Sequence, residues 1–249
     1  MFALDSEDPI AVLRLEHGKV NAMDLALCEA LTQQLALLAT HQCRALVITG
    51  TGSSFSAGVD LVQLTQGGPE YVGRFLPVMD AFFYALLTFP KPVVAALNGH
   101  ALAGGCIIAA CCDHVVMAEG TGRVGVTELV VGVPFPMLPL EIVRARLSAR
   151  DARDLIYSAR TVFPPEALAL GLVDEISPPA DLLPRSIDAA ARLAAIPAVS
   201  FALTKRAFVT PILARVEGTM AIDADVKRAW QGDEVLSHVR AFLDKRAKR

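Results

Sequence analysis

The chain has 249 residues, of which 53% are hydrophobic and 20% charged, with a formal net charge of −3. That is enough apolar material for one large core. No basic stripe with interleaved aromatics occurs, which argues against a nucleic-acid partner; the only basic cluster, KRAKR at 245–249, reads as a solubilising, frayed end.

The acidic opening MFALDSEDPI has neither a basic n-region nor an apolar h-region, so no secretory signal is read there. Short apolar, β-branched runs then recur, each followed by Gly, Ser or Asn. AVLRL (11–15) is the first, and a helix is predicted over 24–38 from leucines at 25, 27, 31, 35 and 38. ALVITG (45–50) is the second strand. Beyond a loop rich in glycine and serine, residues 71–88 predict a helix with Phe75, Met79, Phe82 and Phe83 on overlapping faces, closed at Pro90. PVVAALNG (92–99) is the third strand. The longest apolar run, 101–112, is too short to cross a bilayer and predicts a buried helix, so no membrane partner is expected. HVVMA (114–118) follows, then short helices over 151–158 and 165–170, then the strand GLVDEI (171–176). The βα alternation sets an α/β class. Strands that are apolar throughout predict a sheet covered on both faces. After Pro197 the strands stop, and helices are predicted over 200–209, 214–229 and 234–248. We place a boundary there, with a core over 1–197 and a helical region over 198–249 that could serve as an oligomerisation arm, a lid or simple packing.

The five cysteines are odd in number and form no C-x-x-C, which fits buried, reduced thiols in a cytoplasmic protein. Five scattered histidines show no ligand spacing, so no metal is expected. The glycines at 99–105 do not fit G-x-G-x-x-G, no P-loop occurs, and Ser54 and Ser56 lack the flanking glycines of a nucleophile elbow. Two glycine loops remain, TGTGSSFSAGVDL (49–61) and NGHALAGGC (98–106). Each runs from a strand through a turn into a helix start, where a backbone N–H lacks an intrahelical acceptor. Two such amides, if they converge, would stabilise an oxyanion. Taken singly, either loop is as readily an ordinary βα turn.

The order of FSAGVDL (55–61), NGHALAGGC (98–106) and CD (112–113) resembles the crotonase, or enoyl-CoA hydratase/isomerase, superfamily. The likeness extends from KVNAM (19–23) through TELVVGVP (127–134) and ALGLVDEI (169–176) to AFLDKR (241–246), nearly the whole chain. The resemblance implies a spiral of ββα units with a C-terminal helical trimerisation region, a homotrimer or hexamer, a coenzyme A thioester as substrate and no further cofactor. By position it implies that the oxyanion amides are those of Val59 and Gly104.

The two acid/base positions of the family fall on Ile107, where hydratases carry glutamate, and on Glu128. Isoleucine cannot transfer a proton. Glu128 stands among Val126, Leu129, Val130 and Val131, a setting that would raise its pKa toward the range useful for a general base. One glutamate opposite an apolar residue is similar to the mitochondrial-type Δ3,Δ2-enoyl-CoA isomerases. The resemblance further implies contacts to the coenzyme from Lys19, Ala57, Phe242 and Lys245, and an acyl pocket bounded by Ile107, Phe135 and the aromatic helix at 71–88. At Val62, where many relatives carry lysine, one phosphate contact is missing. Asp60 and Asp113 read as structural, Asp60 as a helix cap and Asp113 as a helix end or turn former. The alternatives are a hydratase or other crotonase-type reaction using Glu128 alone, and an acyl-CoA-binding member without catalysis.

Overall fold

The computed structural model describes residues 1–7 and 9–247; the end of the helix expected over 234–248 and the last two residues of KRAKR lie outside them. Strands β1 (Phe2–Glu7), β2 (Ile10–Leu15), β3 (Ala45–Thr49), β5 (Val93–Leu97), β7 (His114–Ala118) and β10 (Glu175–Ser177) form a six-stranded sheet in that order. β1 and β2 are antiparallel and the other pairs parallel. Strands β4 (Ser54–Ser56), β6 (His100–Leu102), β8 (Val124–Gly125) and β9 (Thr161–Val162) form a second sheet.

The chain therefore alternates between sheets. β3, β4 and α2 (Leu61–Leu87) make one ββα turn, β5, β6 and α3 (Gly104–Cys111) the next, and β7, β8 and α4 (Glu128–Val131) a third. This is the expected spiral. The second strand of each turn lies in a stretch that reads as loop in the sequence, because two or three residues are too few to show a period.

The strands of the large sheet are apolar throughout because both faces are covered. Leu13, Leu46, Ile48, Ala95 and Val115 face a core shared with α1 (Leu25–Thr40), α2 and α3. Their alternates Val12, Val47, Val94, Ala96 and Val116 face α8 (Leu182–Ala194) through Ala189 and Ala190. The sequence reading contains no helix at α8, nor at α5 (Met137–Arg146). Between β8 and α8 also lie α6 (Ala149–Ser158) and α7 (Pro164–Leu170).

Local capping agrees with the residue types. Asp24 accepts the Leu27 amide at 2.7 Å to open α1. Asp60 accepts those of Val62 and Gln63 at 3.0 Å to open α2. α2 starts ten residues before the helix expected at 71–88 and bends at Gly68 (φ 62°, ψ −159°), which breaks its period. Asp113 lies, as expected, in the bend that ends α3 and leads into β7. Its carboxylate accepts the Val93 amide and the Lys205 ammonium, each at 2.8 Å, tying α9 (Ala198–Glu217) to the sheet.

Two helices expected at 200–209 and 214–229 are instead α9, which carries Pro211 inside it, and α10 (Met220–Trp230). The last helix is α11 (Asp233–Ala247). α9 packs on α5, where Glu141, 1% exposed, meets Arg144 and Arg215 at 2.7 and 2.5 Å. α11 packs on α2 and α4. Among the described residues no single helix is long and apolar enough to cross a bilayer.

Candidate active site

The segments 20–23 and 56–60 are laced together by main-chain bonds. The Asn21 side chain, 1% exposed, donates to the carbonyls of Ser54 and Phe55 at 3.1 Å, and Ser56 Oγ donates to Asn21 O at 2.7 Å. Met23 N–H donates to Gly58 O at 2.7 Å. The amides of Ala57, Gly58 and Asp60 go to Val20 O, Ser56 Oγ and Met23 O. The amide left over is that of Val59, which has no acceptor among the described residues.

The second loop ends the same way. Ala103 N–H donates to Gly125 O at 2.9 Å, and Ala103 O accepts the Ile107 amide at 3.1 Å, the first bond of α3. Ala103 takes φ 49°, ψ −122°, a conformation that a side chain strains. It leaves the Gly104 N–H at the positive end of α3 without an acceptor among the described residues. The two loops touch. A Cβ placed on Gly58 (φ +85°) would stand 3.0 Å from Gly104 N and 2.8 Å from Leu102 O. Only glycine at 58 lets the two loops approach this closely.

Val59 and Gly104 both line a cavity of about 350 Å³. Glu128, the first residue of α4, lines it too and is 8% exposed. α4 ends at Gly132 (φ +93°), whose N–H returns to Glu128 O at 3.0 Å, so a single turn fixes this residue. Burial pushes the Glu128 carboxyl up to about 7, against the pull of the backbone amides of Glu128 and Thr127. Its Oε2 is buried and has no hydrogen-bond partner among the described residues. Ile107, 1% exposed, lines the same cavity one turn into α3. The nearby Cys106 thiol is pushed up to about 12 by burial and is unreactive near neutral pH. Among the described residues no three His, Cys, Asp or Glu side chains gather as metal ligands.

The structure thus brings together Val59, Gly104, Glu128, Ile107, Ala57 and Phe242, the last from the chain's own α11. Other expectations need correction. Phe135 is buried but does not line the cavity; its neighbours Val133 and Pro136 do. Of the aromatic helix, Met79 and Phe83 face the cavity, while Phe75 and Phe82 do not. Phe75 stacks on Tyr71 with ring centroids 5.9 Å apart, and Phe82 is turned about 100° round the helix from Phe83. Lys19 is exposed and outside the lining, although Val20 belongs to it. Lys245 lies in an adjoining groove between α4 and α11, and the cation of the main cavity is Arg246, 5.8 Å from the Phe242 ring. Arg246 could have been read from its place beside Lys245. Of the other lining residues, His100 lies inside NGHALAGGC without being singled out there, and Trp230, the only tryptophan, lies in no motif.

A ββα spiral with two unspent amides and a buried carboxyl around one apolar cavity defines an acyl-thioester site of crotonase type. The chain belongs to the enoyl-CoA hydratase/isomerase family, whose model matches residues 5–249, and is an acyl-CoA enzyme of that family. It is 36% identical over 233 residues, 91% of this chain and 89% of the relative, to a putative enoyl-CoA hydratase of Thermus thermophilus. It is 33% identical to a protein of Mycobacterium tuberculosis described as an enoyl-CoA isomerase, with TM-score 0.81 over 90% of this chain and 97% of that one; a second structure of that same protein, at 32% identity and TM-score 0.84 over 92% and 98%, is described as a probable enoyl-CoA hydratase. Human mitochondrial Δ3,Δ2-enoyl-CoA isomerase shares the fold at TM-score 0.94 and 22% identity, over 99% of this chain and 98% of that one.

Proposed function

We propose that this enzyme is a Δ3,Δ2-enoyl-CoA isomerase. The observation that carries the reading is one buried carboxyl with a free oxygen, set in a cavity whose opposite acid/base position is the hydrocarbon of Ile107. Glu128 removes a proton from C2 of a 3-enoyl thioester. The negative charge moves to the thioester oxygen, which accepts hydrogen bonds from the Val59 and Gly104 amides. The double bond shifts to C2–C3 as protonated Glu128 returns the proton at C4. Ile107 leaves no second acid to hold water. Ala57, Phe242, Lys245 and Arg246 are proposed contacts for the coenzyme, with Lys19 beside the lining residue Val20.

The test is a substrate comparison. A 3-enoyl-CoA should be converted to the conjugated 2-enoyl ester, while crotonyl-CoA should lose its conjugated absorbance slowly or not at all. The Thermus relative, named a putative hydratase, favours the competing reading of hydration by Glu128 alone. Rapid hydration of crotonyl-CoA would establish that reading instead.

Only the carboxylate removes a proton. The kcat/KM for a 3-enoyl ester should therefore rise with pH through about 7 and level above it. A profile flat across that range would exclude Glu128 as the base.

We further propose that residues 198–249 build a homo-oligomer, a trimer or hexamer. Val199, Leu203 and Phe208 on α9 and Met220 and Ile222 on α10 are exposed apolar residues that a subunit contact would cover. Sedimentation analysis reads the state directly.

A further inference from the structure

We propose that Trp230 is the end wall of the acyl half of the cavity and sets the longest acyl chain the enzyme accepts. The inference rests on the thioester reading for which part of the ligand lies at that end. The oxyanion amides and Glu128 fix where the reacting carbons sit. The part of the lining carried by α2, α5, α10 and the 133–136 segment consists of Met79, Phe83, Val133, Pro136, Pro139 and Trp230. All are apolar, so this end suits hydrocarbon and not the phosphates of the coenzyme. Trp230 is 2% exposed, and its Nε1–H donates to Pro134 O at 2.7 Å. The polar atom of the indole is thus spent on the protein, and what remains for the cavity is carbon.

The wall is anchored from three sides. Lys227, one turn earlier in α10, bridges Asp80 of α2 and Asp223, each at 2.6 Å. Asp223 also accepts the Met137 amide at the start of α5, at 3.2 Å. The Gln231 side chain lies against Gly73 of α2, 3.3 Å from where a Cβ there would stand. An indole held to α2, to α5 and to the 133–136 segment cannot swing aside as an exposed side chain could. A chain that reaches it must stop.

Calorimetric titration with saturated acyl-CoA esters, butyryl to lauroyl, reads this without any turnover. For the native enzyme, Kd should tighten about fourfold per methylene while the chain still enters new apolar space, then level or weaken at a break. Trp230→Leu should move the break to longer chains. Val133→Leu, which adds bulk to the same wall, should move it to shorter ones and serves if the tryptophan variant does not fold. A break that stays at the same chain length in either folded variant overturns the role of Trp230. A break that moves while 3-enoyl esters are not isomerised upholds Trp230 and overturns the isomerase reading. Absence of binding to every ester overturns both.

Discussion

Glu128→Gln is expected to lower kcat for 3-enoyl-CoA isomerisation by roughly 10²–10⁴-fold, the usual worth of a positioned proton-transfer group, while saturated acyl-CoA esters still bind. Glutamine keeps the shape but cannot accept a proton from C2. Turnover within a few-fold of the native enzyme would remove Glu128 from the mechanism. The same variant carries a stability signature. The native carboxyl titrates near 7, above its unfolded value of 4.5, because burial disfavours its charge. The folded state therefore binds the extra proton between those values, and stability falls as pH rises through that window. At a pH of about 8 the ionised Glu128 costs up to about 3 kcal/mol, and well below 4.5 it costs nothing. Urea unfolding should show Glu128→Gln gaining stability over the native chain at the higher pH and losing that gain in acid. An equal difference at both pH values would mean that the carboxyl is not held in the apolar setting described.

Gly58→Ala should be almost as damaging, with a loss of roughly 10²–10³-fold in kcat, the scale of losing one oxyanion donor. Its Cβ would lie 2.8 Å from Leu102 O and 3.0 Å from Gly104 N, so the loops must part and the Val59 and Gly104 amides no longer converge. Gly52→Ala is the control. Gly52 also has a positive φ, +64°, but a Cβ there meets nothing within 4 Å. It should cost about 1 kcal/mol of stability and leave kcat near the native value. Equal kcat losses in the two variants would place the effect in backbone strain and not in the amide pair.

Much of this site is legible in the sequence, and unevenly so. Glu128, Val59, Gly104 and Ile107 sit in motifs whose order along the chain is distinctive, and all four reach one cavity. Side-chain direction was less accessible. In the irregular 133–136 segment Phe135 turns into the core between cavity-facing neighbours, and nothing in the residue types sets that phase. The fold shows the same division. Asp60 announces the start of its helix because a capping carboxylate acts locally. α5 is hard to read because its cue is tertiary, whereas α8 carries a helical stripe, Leu182, Ser186, Ala189, Ala190 and Leu193, that the sequence reading passes over. α5 buries Met137, Leu138, Ile142 and Val143 together with the charged Glu141, and α8 lays its apolar stripe on the second face of the large sheet.

The proposed oxyanion site is made of main chain, so the chemistry it assigns to Val59 and Gly104 belongs to positions and not to residue types. Alanine at 59 would still present an N–H. A survey that truncates pocket side chains one at a time would report the negative-charge site as dispensable while flagging its neighbours. Heredity meets the same asymmetry. Substitutions can exchange the proton-handling side chains around a fixed amide pair without rebuilding the electrophilic half. A scaffold of that kind can pass between water addition and double-bond migration by changes of one or two side chains. Relatives with different reaction names and one shared spiral are what it should leave behind.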